Sequence, residues 1–135
     1  MRVGRRIARD LGGSVFTIRS RAKVLYHAIG SFCSPMIIAT LTTAHRIAHA
    51  AAIPPAVAKR IMHPILRQTI ANYLAKGPAA AFSGPINRGD INTILKHLEA
   101  LSEVPGARDI YIALARSALR SLPVRDPKAV RGALR

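Results

Sequence analysis

The stretch SGPINRGDINTILKHLEAL, residues 83–101, carries the clearest signal of fold class in this chain. Gly84 and Gly89 permit backbone angles that other residues avoid, and Pro85 stiffens the turn between them. Asp90 stands where its carboxylate can accept hydrogen bonds from the first amides of a helix. The apolar residues that follow share one helix face, and they are Ile91, Ile94, Leu95, Leu98 and Leu101. The stretch therefore predicts a connection between two packed helices.

Turn chemistry explains Arg88 less easily than its neighbours. A guanidinium group beside the amino end of a helix makes a corner that favours anions, because the free amides there carry partial positive charge. Two interpretations of the turn therefore stay open. It either connects two helices and does nothing more, or it also holds an anion at Arg88.

From Lys23 onward the pattern is helical almost throughout, and we expect an all-α fold. Pro35 either begins a helix or kinks a longer one, and Lys76-Gly77-Pro78 supplies a stop after a long helical stretch. A last helix is expected over about residues 107–122. The apolar positions of the long stretch form two adjacent rows, Val57, Ile61, Ile65 and Tyr73 beside Met62, Leu66, Ile70 and Leu74.

The two ends of the chain differ from this pattern. Residues 1–11 indicate a short basic helix that stops at Gly12-Gly13. SVFTI, residues 14–18, offers β-branched and aromatic residues in a strand-length run. No other segment is a convincing strand, so this one is either misread or a remnant of a sheet that lies elsewhere. After Pro123 the chain is basic and lacks a long apolar face, and we expect a mobile tail there.

The chain is strongly basic. Its 21 Lys and Arg residues against 6 Asp and Glu residues give a formal charge of +15, and no acidic residue occurs between Asp10 and Asp90. Such a surplus costs self-repulsion in isolation, so it implies an anionic partner, an anionic surface or a missing acidic neighbour. A nucleic-acid-binding module is one alternative function, although the chain lacks a recognisable recognition helix, zinc finger or aromatic stacking platform.

A membrane-embedded or membrane-surface helix bundle is a second alternative. No Lys, Arg, Asp or Glu occurs from Val24 to His45, which is long enough for a span. The same stretch contains Pro35 and several polar side chains, however, so its composition favours a buried helix of a soluble protein. The single cysteine, Cys33, excludes an internal disulfide, and no apolar leader follows the arginine-rich start. These features favour a reducing cytoplasm.

Two familiar site motifs are excluded. HRIAH, residues 45–49, spaces two histidines on one helix face as in metalloproteases, but Arg46 stands where the general-base glutamate would be, so we expect no metal site. No pair of glycines is spaced G-x-G, and this excludes a dinucleotide-binding turn or a P-loop within the chain.

Two other polar side chains are candidates without a complete motif. His27 lies close in sequence to Cys33 and two serines, but acyl transfer needs a base and an orienting carboxylate in a geometry that spacing cannot establish. Asn72 is mildly unfavourable in the middle of a helix, so we expect it to have a tertiary partner.

The order of the motifs identifies a family better than any one of them. Between Ile7 and Leu122 the segments LGGSVFTI, YHAIGSFCSP, LRQTIANYLAKGPAAAFSGPINRGDINTILKHLEAL and YIALARSAL follow one another. Together they resemble the C-terminal half of an uncharacterised family, the helical domain of unknown function 2520. Full-length members of that family resemble a Rossmann-like NAD(P)-binding domain followed by this helical domain. The helical half is similar to the C-terminal domains of 6-phosphogluconate dehydrogenase-like oxidoreductases.

The resemblance implies an all-α bundle with a short N-terminal helix and a strand remnant, which packs against a second copy as a homodimer. It makes residues 1–20 the end of a nucleotide-binding domain, 21–122 the helical domain and 123–135 a basic flexible tail. NAD or NADP would be held by the Rossmann half, supplied here by a separate chain, and this chain alone would bind no cofactor. The residues that the resemblance places near the cofactor cleft are His27, Ser34, Asn72, Ser83, Gly84, Pro85, Arg88 and Asp90.

Two positions depart from the family pattern. Ser34-Pro35 stands where Ser-Asn is usual, which removes an amide that could bind a ligand, and Ser83 replaces a usual threonine. The resemblance makes His27 a proton donor, gives Ser34 and Asn72 the task of orienting polar groups of the substrate, and gives Arg88 an anionic group to hold. The expected function is that of a substrate and dimerisation domain of a dehydrogenase-like protein, which cannot catalyse hydride transfer alone.

Overall fold

The computed structural model describes residues 2–135, and within these residues the chain is helical and forms no strand. The all-α prediction is confirmed. The helices are α1 (Arg2–Asp10), α2 (Lys23–Cys33), α3 (Pro35–Ala50), α4 (Pro55–Ala81), α5 (Pro85–Arg88), α6 (Ile91–Leu101), α7 (Ala107–Ser121) and α8 (Pro127–Ala133), with a 3₁₀ turn at Ser20–Ala22. Proline begins four of the helices, because its fixed φ suits the first helical turn and its missing amide costs nothing there.

The chain divides into two compact units, one that ends at Ala39 and one that runs from Thr40 to Arg135. This division does not coincide with the boundaries expected after residues 20 and 122. The assignment of residues 1–20 to the end of a nucleotide-binding domain stays a prediction. The strand expected over residues 14–18 is wrong, since these residues have no regular secondary structure. A strand needs a neighbour to pair its amides and carbonyls, and the described residues supply none.

The N-terminal unit consists of helices with exposed apolar side chains. α1 ends as predicted at Gly12, whose φ of 73° is the left-handed conformation that closes a helix. No residue of α2 is buried, and Val24 and Leu25 keep more than 70% of their surface exposed. In the part of the chain that the structure describes, the helical stretch Ser20–Ala50 is long and apolar enough to cross a membrane. A core helix of a soluble protein meets the same criterion.

The core of the second unit lies where α6, α7 and α8 meet. Ile94 and Leu98 of α6 are buried there, as the helical pattern predicts. Leu95 belongs to the same apolar face of α6, and Leu114 is an apolar residue of α7, but each keeps about half of its surface exposed (50% and 53%). The apolar stripes of α6 and α7 are wider than the surface that neighbouring helices cover, so their outer members remain in solvent.

The C-terminal segment, for which the sequence predicts a mobile tail over residues 123–135, contains helix α8 and contributes to this core. Asp126 caps α8 by accepting a hydrogen bond from the Ala129 amide at 2.9 Å. Val130 and Leu134 are completely buried against the α6–α7 core. Two apolar residues one turn apart are too few to predict a core helix, but they are sufficient when α6 and α7 supply the surrounding surface.

Helix α4 is long and mostly uncovered. It runs through Pro64 without being divided and is interrupted at Gly77, whose φ of 76° and ψ of 172° are not helical. The predicted stop at residues 76–78 is therefore confirmed as a local break. Only Ala58 of this helix is buried. Much of the surface of its apolar rows faces solvent, and the most exposed side chains are Ile61, Ile65, Ile70, Tyr73 and Leu74.

Candidate functional site

The turn between α4 and α6 has the unusual backbone that its sequence predicts. Gly84 has a φ of 100° and Gly89 a φ of 66°, and both lie in the region that glycine adopts without strain. Between them Pro85 begins the single helical turn α5. Ile86 packs against the α6–α8 core and anchors the turn to it. The turn therefore connects two helices and is anchored to the core, which agrees with its interpretation as a helix-to-helix connection.

Asp90 caps α6 and fills the corner that its sequence position suggested for an anion. Its carboxylate accepts hydrogen bonds from the Thr93 amide at 3.1 Å and from the Thr93 hydroxyl at 2.8 Å. These bonds, with a smaller contribution from the charge of Arg88, hold the pKa of Asp90 below its usual value of 3.8. The amides at the start of α6 therefore already have an anion, and it belongs to the chain.

Arg88 remains the group in this turn that can hold a ligand. Its side chain is exposed, and across residues 2–135 no carboxylate forms an ion pair with it. The arginine is the last residue of the single-turn helix α5 and precedes Gly89, so its backbone position is set by the turn. A guanidinium group of this kind can bind a carboxylate or a phosphate through two parallel hydrogen bonds. A candidate anion site in this turn is therefore smaller than its sequence suggests and would depend on the Arg88 side chain.

No local sequence pattern indicates the role of Asn87. Its side-chain amide donates a hydrogen bond to the Pro123 carbonyl at 2.8 Å, and its own carbonyl accepts one from the Arg125 amide at 3.0 Å. Both partners lie more than thirty residues further along the chain. This role becomes visible only when the contact between the turn and the C-terminal segment is known. The spacing of residues in the sequence does not indicate that contact.

The other predicted site residues are not all brought together. Ser83, Gly84, Pro85, Arg88 and Asp90 share the turn. Asn72 lies on α4, where its side-chain oxygen accepts a hydrogen bond from the Gln68 amide group at 3.0 Å. That partner belongs to the same helix and is not the tertiary partner expected.

His27 and Ser34 belong to the N-terminal unit. The ring of His27 lies edge-on to that of Tyr26, with ring centroids 6.1 Å apart. Ser34 separates α2 from α3 and has a non-helical φ of −133° and ψ of −84°. The structure therefore places His27 within α2 and Ser34 at the junction between α2 and α3.

The HRIAH segment has a structural role at its arginine. The Arg46 guanidinium donates a hydrogen bond to the Pro105 carbonyl, which ties α3 to the connection between α6 and α7. His45 and His49 line a cavity of about 370 Å³ beside Pro55 and Ala58. No cluster of three or more metal-ligating side chains occurs within residues 2–135.

A histidine and tyrosine pair on α6 and α7 was not predicted. The Nδ1 atom of His97 lies 3.4 Å from the Tyr111 hydroxyl, and the two rings meet edge-on at 5.8 Å. Burial raises the pKa of the Tyr111 hydroxyl. The two residues are on different helices, so sequence spacing does not reveal their contact.

The capping role of Asp90 predicts how stability depends on pH. Because its pKa is lower in the folded chain than in the unfolded chain, its contribution is complete above the unfolded value and is lost as pH falls through the folded value. Thermal unfolding followed by circular dichroism between about pH 6 and pH 2 should show a steeper loss of midpoint temperature for the wild type than for Asp90→Asn.

Thr93→Val is the second variant for this test, since it removes the hydroxyl that contributes most to the low pKa. The pKa of Asp90, measured by NMR of its carboxyl carbon, should rise in this variant towards 3.8. Identical pH profiles for the wild type and Asp90→Asn would show that the cap does not stabilise the fold.

Neither the curated proteins nor the solved structures contain a match to this chain. One family model matches over most of the chain and includes the whole of the turn from Ser83 to Asp90. The matched region ends within α7, so α8 lies beyond it. By this match over residues 1–118, the chain belongs to the family described as Domain of unknown function (DUF2520).

Proposed function

We propose that this chain is a helical substrate and dimerisation domain of an NAD(P)-dependent dehydrogenase-like protein. The observation that carries the proposal is the uncovered apolar face of α4. This face, called the α4 face below, consists of Ile61, Ile65, Ile70, Tyr73 and Leu74. Each of these side chains keeps about half or more of its surface exposed, and Leu74 keeps 77%. Several large apolar side chains exposed along one helix are typical of a surface that binds another protein.

A second copy of the chain is the partner that fits the α4 face best. Two copies of one helix can cover each other's apolar stripes around a two-fold axis, and closed two-fold dimers are the commonest oligomers. The family resemblance implies the same arrangement. Helix α4 has no acidic side chain to balance its basic residues, which are Lys59, Arg60, Arg67 and Lys76, so the cations of two copies repel each other. The dimer should therefore tighten as salt rises, whereas binding of a nucleic acid would weaken.

The residues of this chain do not by themselves fit a dinucleotide. Such a cofactor places its pyrophosphate on a glycine-rich turn that follows a strand and opens a helix. The described residues contain no strand, and the glycines of the turn from Gly84 to Gly89 lie between helices. We therefore assign no step of hydride transfer to this chain. NAD or NADP belongs in the proposal to a Rossmann domain on another segment or chain.

The substrate-facing roles in the proposal fall on a few polar side chains. Arg88 would hold an anionic group, for which its exposed guanidinium and its fixed backbone are suited. His27 would donate a proton, and Ser34 would orient polar groups of the substrate together with Asn72. Asn72 is already engaged with Gln68 in the free chain, so it would have to exchange that local hydrogen bond for one to the substrate.

Ile65→Glu tests the dimer. A carboxylate in the middle of the α4 face would be buried without a partner on association, so we expect the dissociation constant to rise about 100-fold. Sedimentation equilibrium over a range of protein concentrations measures this constant. Ala56→Glu is the matched control, because it introduces the same carboxylate at an exposed position of α4 that is not three, four or seven residues from any member of the α4 face. Its dissociation constant should stay within about threefold of the wild-type value, since the residue lies outside the face.

A wild-type chain that stays monomeric at about 100 μM would contradict the dimer, because a stable interface of standard size associates well below that concentration. Equal effects of the two substitutions would also contradict it, since charge alone would then explain the change. Flotation of the wild type with anionic vesicles, without self-association, would favour a membrane surface as the partner.

A further inference from the structure

The C-terminal segment from Pro123 to Leu134 lies across the turn that carries Arg88. The segment lies beyond the region that the family model matches. Two of its side chains, Val130 and Leu134, are nevertheless completely buried in the core. The Arg116 guanidinium also donates a hydrogen bond to the Leu134 carbonyl at 2.7 Å, which fixes the end of the segment to α7. The C-terminal end of the segment is therefore anchored to the core, and the segment can restrict movement of the turn that it contacts.

Asn87 is the point at which the segment holds the turn. The side-chain amide of Asn87 binds the Pro123 carbonyl, and the Asn87 carbonyl binds the Arg125 amide. One residue of the turn therefore joins the segment through two hydrogen bonds in opposite directions. Both groups would lose their partners together if the segment moved away, and replacing them by water restores only part of the interaction.

Gly89 allows the segment to approach closely. A β-carbon at this position would lie 3.3 Å from the Asp126 backbone nitrogen and 3.4 Å from its β-carbon. The φ of Gly89 is 66°, so a larger residue would be strained by its backbone as well as by this contact. Asp126 is the cap of α8, and the close approach therefore places the start of α8 directly on the turn.

Arg88 lies between these two contacts. The residue before it is hydrogen-bonded to the segment, and the residue after it packs on the segment. The guanidinium itself is exposed. We propose that the C-terminal segment is a strap that fixes the turn, and that Asn87 is the positioning residue through which the strap holds Arg88 ready for an anion. The anion in question is a carboxylate or phosphate group, and this part of the inference rests on the role that the proposed function gives Arg88.

Hydrogen exchange in the full-length chain tests the strap. The amides of Arg88, Gly89 and Asp90 each donate to a carbonyl of the turn, so their exchange reports its opening. Asn87→Ala should speed their exchange about 5-fold, the effect expected for the loss of one hydrogen bond. Asn92→Ala is the matched control, since Asn92 is an exposed asparagine on the neighbouring helix. Unchanged exchange in Asn87→Ala, or an equal increase in both variants, would overturn the strap.

Gly89→Ala tests the same contact from the other side and does not remove a hydrogen bond. It should also speed exchange of the three amides, and it should do so in the amides of the first turn of α8 as well. If exchange became faster only in the turn and not in α8, strain in the Gly89 backbone alone would explain the result. That outcome would count against the proposal. Far-UV circular dichroism confirms for each variant that the helices are retained.

Titration with inorganic phosphate separates the strap from the function of Arg88. In the wild type the NMR resonance of the Arg88 side-chain Nε–H group should shift and saturate. Asn87→Ala should raise the apparent dissociation constant about 5-fold, while Asn92→Ala should leave it unchanged. A wild-type resonance that does not respond to phosphate would contradict the anion-binding role in the proposed function. The exchange results would in that case still decide whether the strap exists.

Discussion

Val130→Asp is expected to unfold the second unit under conditions in which the wild type is folded. Val130 is completely buried among Ile94, Leu98 and Leu134, and a carboxylate there would have no hydrogen-bond partner. Burying such a group while losing an apolar side chain should lower the free energy of unfolding by about 4 kcal/mol or more. That is comparable with the whole stability of a small domain. Urea denaturation followed by circular dichroism measures the loss.

Lys128→Asp is the matched control for this substitution. It introduces the same carboxylate into α8 two residues earlier, at an exposed position in the first turn of the helix. We expect a change within about 0.5 kcal/mol, because a carboxylate near the start of a helix is favourable or neutral. If Val130→Asp were as stable as Lys128→Asp, α8 would not be packed, and the mobile tail expected from the sequence would be correct after all.

Ile94→Ala is expected to have the second largest effect. Ile94 has no exposed surface, and its truncation should leave a cavity where α6 faces α7 and α8. Isoleucine-to-alanine changes in buried sites cost about 2–5 kcal/mol, with the larger values where the surroundings cannot collapse. The expected result is a urea midpoint well below that of the wild type with an unchanged dependence on urea concentration.

Leu95→Ala removes nearly the same side chain from the next residue of the same helix. Half of the Leu95 surface is exposed, so its truncation should cost about 1 kcal/mol or less. A cost for Leu95→Ala that matches or exceeds that of Ile94→Ala would show that this face of α6 is covered in solution. The cost of Leu95→Ala can be measured in the wild-type background and again in the Ile65→Glu background. A larger cost in the wild-type background would show that a second copy covers Leu95.

The sequence predicted local features well, and the reasons lie in particular residues. Proline at position 35 and glycine at position 12 mark helix ends correctly, because their backbone preferences act within one turn. Asp90 was correctly predicted as a helix cap for the same reason. The β-branched run over residues 14–18 misled, because a strand depends on a partner that the run itself cannot reveal.

The sequence also placed the polar turn correctly but assigned its chemistry incompletely. It identified Arg88 as the cation and suggested that the start of α6 would attract an anion. In the structure Asp90 takes the α6 amides, so only the guanidinium is left for a ligand. No local pattern distinguishes Asn87, which makes two long-range hydrogen bonds from the turn to the C-terminal segment. A hydrogen bond to a residue more than thirty positions away cannot be predicted from the spacing of residues around Asn87.

The sequence by itself determined the helical class of the chain, the places where most helices begin and end, and the composition of the turn from Ser83 to Asp90. These features depend on φ restrictions, capping groups and apolar periodicity, all of which act over fewer than about eight residues. Only the tertiary structure decided that α8 completes the core, that Asn87 holds the C-terminal segment, and that the α4 face is left uncovered. Each of these depends on which surfaces of distant segments meet, and burial of an apolar side chain is a property of the assembled helices and not of its own helix.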